Sequence, residues 1–176
     1  MRSSLVKRAA KFAKHAHRSQ LRRYTNEPYF VHLDEVAKLC ARHACSKRAI
    51  AAAYLHDTIE DQPVTYEDLI GEFGKDVADI VRDLTDVPAT AGSRKERKAM
   101  DLARLAAAGA EAQTIKCADM ISNTSSIVRH DVGFARTYLP EIRAALTVMT
   151  RADPKMRELA WNSLIKGEGE IEGAGK

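Results

Sequence analysis

The stretch LHDTIED at residues 55–61 combines an imidazole with three carboxylates, directly after an apolar run that is typical of a buried helix. On a helix, His56 and Glu60 share one face because they are four residues apart, and Asp57 and Asp61 share the adjacent strip. Burying an ionised carboxylate is costly unless a positive charge compensates it. We therefore expect a cation near this turn.

Two further residues have the types that would complete a metal site. His32 follows an aromatic run at a helix entrance, and Asp119 is an acid within the otherwise apolar segment AQTIKCADMISN. With His56 and Asp57 they supply imidazole nitrogens and carboxylate oxygens, which leave positions on a six-coordinate ion for water or substrate. Mixed ligation without thiolate favours Mn²⁺, Fe²⁺ or a similar ion over structural zinc. A lone His-Asp pair would also fit a helix cap or a surface pair, whereas the full set predicts a divalent metal site.

Composition and charge limit the class of protein. The chain of 176 residues is 45% hydrophobic and 30% charged, which favours one globular domain. No apolar run approaches the roughly 20 residues that cross a bilayer, and the basic N-terminus runs directly into an amphipathic helix pattern, so we expect a cytoplasmic protein with no membrane partner. The three cysteines form no CxxC pair, which indicates reduced thiols. A net charge of +4 suits a small anionic partner, and no motif for specific nucleic-acid binding accompanies it.

Apolar residues recur with a period near 3.6 along nearly every segment, which predicts an all-α fold. The predicted helices cover residues 4–18, 34–44, 47–58, 65–73, 75–86, 94–107, 112–128, 133–149 and 155–165. Three boundaries carry capping chemistry: Asp34, Ser46, and Thr65 with Asp68 are expected to begin helices. Gly74 is expected to end a helix in a left-handed conformation.

Three further expectations concern the segments around these helices. The loop at residues 21–32 mixes proline, asparagine and aromatic residues and ends on a histidine, so we expect it to be ordered and to line a site. The domain is expected to span residues 1–166, and the glycine-rich tail at 167–176 is expected to be disordered. The remaining histidines, among them His17 on the basic first helix, are expected at surface or capping positions.

The order H…HD…D resembles the HD superfamily of metal-dependent phosphohydrolases. The fuller pattern resembles the hydrolase domain of the RelA/SpoT homologues: HDTIED is preceded by EPYFVH and followed by FGKDVADIVRDLT and IKCADMISN. With no synthetase or regulatory region in the sequence, the chain is most similar to the small single-domain alarmone hydrolases. The resemblance runs from about Ala9 to Met149.

The resemblance implies a single-domain HD-type helical bundle that binds one Mn²⁺ ion, although other divalent ions are possible. By the motif match, the ligands are His32, His56, Asp57 and Asp119. The implied activity removes pyrophosphate from the 3′ position of ppGpp or pppGpp and leaves GDP or GTP. In this reaction Glu60 and Asp61 would orient and deprotonate the attacking water. The competing interpretation of these two carboxylates is a solvated helix end.

The resemblance also implies residues that hold the nucleotide. Arg23 matches an arginine that packs on the guanine base, with Arg22 as the alternative if the loop register differs. Asn123 lies one helical turn after Asp119 and matches a nucleotide contact, and Ser126 could act likewise. Phosphate candidates occur together in SRKERKAM, although such a run is more often a solvated helix face. They are Arg94, Lys95, Arg97 and Lys98.

Three positions depart from the family pattern and leave base preference open. Tyr24 stands where a lysine is common, Met120 where an arginine is common, and Ser122 where a histidine is common. Alternative substrates are therefore ppApp, NADPH or another 3′-phosphorylated nucleotide. A non-catalytic nucleotide-sensing protein is a further alternative, against which the intact ligand set argues. An oligomer is possible but not established by the sequence.

Overall fold

The computed structural model of the protein describes residues 4–173, and within them the chain is almost entirely helical. The α-helices are α1 (Leu5–Ala16), α2 (Phe30–Arg42), α3 (Lys47–Leu55), α4 (Thr58–Asp61), α5 (Tyr66–Phe73), α6 (Lys75–Leu84), α7 (Arg94–Ala107), α8 (Ala110–His130), α9 (Val132–Val148) and α10 (Pro154–Gly173). A 3-10 turn at Ala89–Ala91 precedes α7, and the β pairing in the described range is a single antiparallel bridge between Leu21 and Pro28. The predicted all-α class is confirmed. None of the described helices combines the length and apolar character that crossing a membrane requires.

The first of two compact units runs to Pro88 and is built around α3. This helix packs against α1, α2 and α6, and α5 packs against α6. Ala51, Ala52 and Ala53 are all fully buried, although consecutive residues on a helix point in different directions. A helix that is apolar on every side is suited to a central position, and small alanine side chains let its neighbours approach closely.

The second compact unit begins at Ala89. In it α8, α9 and α10 pack on one another, and α7 packs on α9. The 21-residue helix α8 carries several buried polar side chains in addition to its apolar ones. The most informative of these is Asp119, which is 5% exposed.

Local capping chemistry explains most helix boundaries. The Ser46 hydroxyl accepts a hydrogen bond from the Ala49 amide, and Thr65 and Asp68 form the predicted reciprocal capping box. Gly74 ends α5 with a φ of 88°, which glycine adopts without steric cost, although its ψ of 161° lies outside the left-handed helical region.

The predicted cap at Asp34 is wrong, because α2 begins four residues earlier at Phe30. Tyr29 occupies the N-cap position, and the amides of Val31 and His32 bond to the carbonyls of Pro28 and Tyr29. Asp34 lies inside the helix, where it pairs with Lys38. His32 therefore belongs to the first turn of α2, and only residues 21–29 of the predicted loop precede the helix.

The predicted helix at 47–58 breaks at the HD dipeptide. Asp57 has φ of −99° and ψ of 0°, outside helical geometry, and α4 is a single further turn. The Thr58 hydroxyl donates to the Leu55 carbonyl at 2.6 Å and helps to close this corner. Glu60 and Asp61 are exposed, whereas His56 on the preceding turn is buried.

The expectation of a disordered tail from residue 167 is also wrong over most of its length. Helix α10 continues through Gly173, and Ile171 is buried. A side chain added at Gly167 would meet Val128 at 3.0 Å and Thr124 at 3.3 Å, so this glycine allows α10 to pack closely against α8. Residues 174–176 of the predicted tail lie outside the described residues.

Candidate metal centre

His32, His56 and Asp57 converge in the first unit and form what we call the histidine–carboxylate cluster. Both imidazoles are 2% exposed, and their ring centroids lie 5.4 Å apart. The Nε2 atoms of His56 and His32 lie 3.1 and 3.7 Å from the same oxygen of Asp57, Oδ2. The break between α3 and α4 sets this geometry, because it turns Asp57 away from the axis of α3.

The tautomer of His56 shows that this cluster fits a cation. Its Nδ1 lies 2.8 Å from the Ala53 carbonyl oxygen, which can only accept, so Nδ1 carries the proton. In a neutral ring Nε2 then presents a lone pair to the carboxylate of Asp57. Two acceptors at 3.1 Å repel each other unless a proton or a metal ion lies between them. Buried imidazole nitrogens and carboxylate oxygens in this arrangement are suitable ligands for a divalent metal ion.

Tyr29 is a member of this site that the sequence analysis missed. Its hydroxyl donates a 2.7 Å hydrogen bond to Asp57 Oδ2. Its ring lies 5.5 Å from that of His32 and stacks on His17 at 5.1 Å. The available signal was its position in EPYFVH, three residues before His32. Tyr29 holds the carboxylate in place from the side of the loop.

Glu60 and Asp61, the predicted catalytic carboxylates, lie on α4 directly after the cluster. The Asp86 amide donates to Glu60 Oε2 at 3.2 Å, and the Gln20 side-chain amide donates to Asp61 Oδ2 at 2.9 Å. Both side chains are exposed, so each can exchange a proton with water. Their placement is compatible with a general base close to the histidine–carboxylate cluster.

Asp119, the remaining predicted ligand, lies on α8 in the second unit. Lys116 Nζ approaches its Oδ2 at 3.1 Å, and Asn123 Nδ2 donates to its Oδ1 at 2.7 Å. The prediction that Asn123 points to the same side as Asp119 is confirmed. Burial, followed by the charge of Asp119, raises the pKa of the Tyr138 hydroxyl group nearby. Asp119 is thus a buried carboxylate whose two oxygens both have polar contacts.

The two candidate arginines both lie in the loop between α1 and α2, but their side chains have different contacts. Arg22 is half-buried and forms a 3.1 Å ion pair with Glu35. Arg23 is exposed and lies over the ring of Tyr24, with 5.4 Å between its guanidinium carbon and the ring centroid. The amide of Arg22 bonds to the Glu27 carbonyl, and Asn26 has a φ of 56°, so the loop makes an ordered turn. Its geometry favours Arg23 over Arg22 as a nucleotide contact.

The other substrate candidates lie in the second unit. Ser126 is half-buried, and its carbonyl accepts from His130 Nδ1 at 2.8 Å. Arg94 forms a two-pronged ion pair with Glu141 at 3.0 and 2.9 Å, and Lys98 pairs with Asp101 at 3.3 Å. The contacts of Arg94 and Lys98 indicate structural roles. Lys95 and Arg97 are the other two phosphate candidates of this helix.

His17 was expected at a surface or capping position, and it lies at a capping position. It occupies the C-cap position of α1, but its ring is only 1% exposed. Its Nδ1 lies 2.6 Å from Gln20 Oε1, and its ring stacks on Tyr29. The basic character of α1 gives no sign that the ring at its C-cap is buried and contacts Gln20 and Tyr29.

The chain is similar to known proteins in sequence and in fold. A family model described as an HD domain matches residues 9–132. The chain is 34% identical over 115 residues to the guanosine-3′,5′-bis(diphosphate) 3′-pyrophosphohydrolase MESH1 of Drosophila melanogaster. This match covers 64% of this chain and 63% of the fly protein, so the chain spans slightly less than two thirds of that relative. It is 31% identical over 130 residues to the Xenopus tropicalis protein of the same name, covering 72% of each. The solved structure of a metazoan ortholog of SpoT that hydrolyzes ppGpp matches with a TM-score of 0.84 over 97% of this chain and 98% of that chain. At 24% identity this last match shows a shared fold.

Proposed function

This chain belongs to the HD domain family, and from that premise we propose that it is a 3′-pyrophosphohydrolase of guanosine alarmones. It would cleave ppGpp and pppGpp to pyrophosphate and GDP or GTP. The observation that carries the proposal is the convergence of two buried imidazole nitrogens on Asp57 Oδ2, with two exposed carboxylates on the next turn. The activity named for the fly and frog relatives gives the substrate class.

The proposed metal is one Mn²⁺ ion per chain. The ligand set is the histidine–carboxylate cluster together with Asp119, whose motif matches the family and whose carboxylate is buried. Nitrogen and oxygen donors without thiolate support Mn²⁺ or a similar divalent ion. The bound ion would polarise the scissile phosphate and lower the pKa of the attacking water.

The carboxylates after the cluster supply the proton chemistry. Glu60 and Asp61 orient the water and accept its proton as its oxygen attacks the phosphorus joined to the 3′ oxygen. The bond between that phosphorus and the 3′ oxygen breaks, and the 3′ oxygen takes up a proton. Tyr29 keeps Asp57 in place during this reaction through its 2.7 Å hydrogen bond.

The proposed nucleotide contacts follow from the exposed or accepting group that each side chain can offer to a ligand. The exposed guanidinium of Arg23 can stack on a purine base. The amide nitrogen of Asn123 is bonded to Asp119, so its carbonyl oxygen is the group to accept from the nucleotide. Ser126 lies almost one turn further along the same helix. A small anionic nucleotide also agrees with the net charge of +4 and with the cytoplasmic location expected from the sequence.

A second substrate class is favoured by one specific contact. Arg23 lies over the ring of Tyr24, where the family pattern commonly has a lysine, so the surface that meets the base is more aromatic than that pattern implies. Adenine nucleotides such as ppApp, or NADPH, would use the same phosphate chemistry with a different base contact.

A substrate panel tests the proposal. Purified protein with Mn²⁺ is incubated with ppGpp, pppGpp, ppApp and NADPH, and the products are separated and identified. Release of pyrophosphate from ppGpp and pppGpp, with GDP and GTP as the other products, is expected. Cleavage of ppApp or NADPH alone would keep the site chemistry and replace the substrate. No cleavage of any of them by metal-loaded protein would refute the proposed activity.

A further inference from the structure

We infer that Gln20 is a positioning residue that orients the Asp61 carboxylate, and that His17 and Gln62 fix the Gln20 amide in the required orientation. The inference rests on the proposed function, because it assigns these residues to the reaction in which Asp61 accepts a proton. None of the three residues belongs to the ligand set or to the nucleotide contacts proposed above.

The contacts form a chain that ends at the catalytic carboxylate. The Gln20 side-chain nitrogen donates to Asp61 Oδ2 at 2.9 Å. The Gln20 side-chain oxygen lies 2.6 Å from the Gln62 side-chain nitrogen and 2.6 Å from His17 Nδ1. Residues separated by 41 and 42 positions in the sequence are thereby joined around one amide.

The partners allow one orientation of the Gln20 amide. A carboxylate can only accept, so the end that faces Asp61 must be the NH₂ group. The carbonyl end then accepts from the Gln62 amide and from the N–H at His17 Nδ1. Reversing the Gln20 amide would bring its oxygen against the Asp61 carboxylate and its NH₂ group against two donors. All three partners are therefore satisfied by the same orientation, in which Asp61 receives a hydrogen bond from Gln20.

The backbone around Gln20 is fixed as well. Its amide donates to the His17 carbonyl at 3.0 Å, and its carbonyl accepts from the Tyr29 amide at 2.9 Å. Tyr29 also donates to Asp57, so the same short loop holds a proposed metal ligand and a proposed catalytic carboxylate. A displacement of the loop would move both.

The two ring nitrogens of His17 differ in their contacts. Nδ1 lies 2.6 Å from Gln20 Oε1, whereas the buried Nε2 has no hydrogen-bonding partner among residues 4–173. The closest polar contact of His17 with a side chain is therefore the one with Gln20, together with the stacking of its ring on Tyr29.

The hydrogen bond has a chemical consequence for Asp61. An exposed carboxylate rotates freely and offers its two oxygens to water equally. With Oδ2 held by Gln20, the plane of the carboxylate is fixed, and Oδ1 is the oxygen to which the attacking water can pass its proton. Water attack requires such alignment, whereas substrate binding and metal binding do not.

The first test replaces Gln20 by methionine, which has a similar length and no amide. In the Gln20→Met variant kcat should fall about 10- to 100-fold, the usual effect of losing a hydrogen-bonded support of a reactive group. KM for the nucleotide and the Kd for Mn²⁺ should change by less than about twofold, because neither binding step uses Asp61 alignment. Gln113→Met is the control: Gln113 is a glutamine whose side-chain amide also bonds at both ends, to Leu105 and Arg151, although it is buried whereas Gln20 is half-buried. It should lower the melting temperature and leave kcat unchanged.

A second test asks whether His17 acts through Gln20. His17→Asn keeps an N–H near the position of Nδ1 and should retain most of the activity, whereas His17→Leu should resemble Gln20→Met. The His17→Leu/Gln20→Met double variant should be no slower than Gln20→Met alone, because both changes remove the same support. Multiplicative losses, or equal losses in His17→Asn and His17→Leu, would overturn the assigned role of His17.

The outcomes separate this inference from the proposed function. If the wild type releases no pyrophosphate from any nucleotide, the proposed function fails. If the wild type is active and Gln20→Met has the same kcat, only the positioning role fails. The side-chain amide signal of Gln20 in an ¹H–¹⁵N spectrum, assigned by its loss in Gln20→Met, gives a readout without turnover. It should shift in Asp61→Ala, and an unchanged signal would overturn the inference whatever the activity.

Discussion

Removing the Tyr29 hydroxyl group should weaken Mn²⁺ binding without unfolding the protein. In the structure this hydroxyl donates at 2.7 Å to Asp57 Oδ2, the oxygen that also faces both histidines. A hydrogen bond to a charged group contributes about 1.5–3 kcal/mol, and the Asp57 side chain is only 18% exposed, so water replaces the lost donor poorly. The hydrogen bond is also present without metal, so only the part that depends on metal binding changes the Kd. At about 1.4 kcal/mol for each factor of ten, Tyr29→Phe should therefore raise the Kd for Mn²⁺ by at most about 10- to 100-fold.

Titration calorimetry of metal-free protein with Mn²⁺ measures this effect. Tyr54→Phe is a matched control, because the Tyr54 hydroxyl donates at 2.8 Å to Asp34, which lies outside the proposed ligand set. Burial, followed by the hydrogen bond to Asp34, raises the pKa of Tyr54 to about 12, so this hydroxyl is protonated and able to donate at neutral pH. Tyr54→Phe should lower stability by about 1 kcal/mol and leave the Kd unchanged. Equal Kd values for the wild type and Tyr29→Phe would refute the role given to Tyr29.

Three other predictions follow from the same structure. Glu60→Ala and Asp61→Ala should each abolish turnover while circular dichroism and Mn²⁺ titration remain as in the wild type, and normal turnover in both would remove their assigned role. Arg23→Ala should raise KM for the nucleotide at least several-fold with a smaller change in kcat, because its exposed guanidinium is proposed to bind the base and has no assigned part in proton transfer; an unchanged KM would exclude that contact. Gly169→Ala, where an added side chain meets nothing within 4 Å, should stabilise α10 by up to about 1 kcal/mol, whereas Gly167→Ala should not, since it would press against α8. Thermal melting of both glycine variants compares them, and equal gains would show that α10 does not pack as described.

The helices were predictable where local chemistry determines them. Ser46 and Thr65 bond to amides within their own first turn, so the sequence alone contains both partners. The histidines and aspartates of the proposed metal site were identifiable by their types, because few other roles bring such groups into apolar segments. These features depend on residues a few positions apart.

Features that depend on distant residues were not predictable. The polar network of His17 joins the end of α1 to the end of α4, and no local pattern signals a partner some 40 positions away. The break at Asp57 interrupts a segment with strong helical periodicity, since the corner is held by side-chain contacts such as that from Tyr29. The glycine-rich composition around Gly167 predicts disorder. In the structure, the absence of a side chain at Gly167 instead allows α10 to pack closely against Val128.

The most direct test of the account is turnover of ppGpp by one protein sample carried through metal removal and metal return. Pyrophosphate release is measured before EDTA treatment, after it, and after stepwise addition of Mn²⁺ to the dialysed protein, with metal content determined at each step. A hydrolase with one catalytic Mn²⁺ ion should lose activity with EDTA and recover it fully at one Mn²⁺ per chain. Release that persists in metal-free protein would contradict the metal-dependent mechanism, and with it the roles assigned to His32, His56 and Asp57.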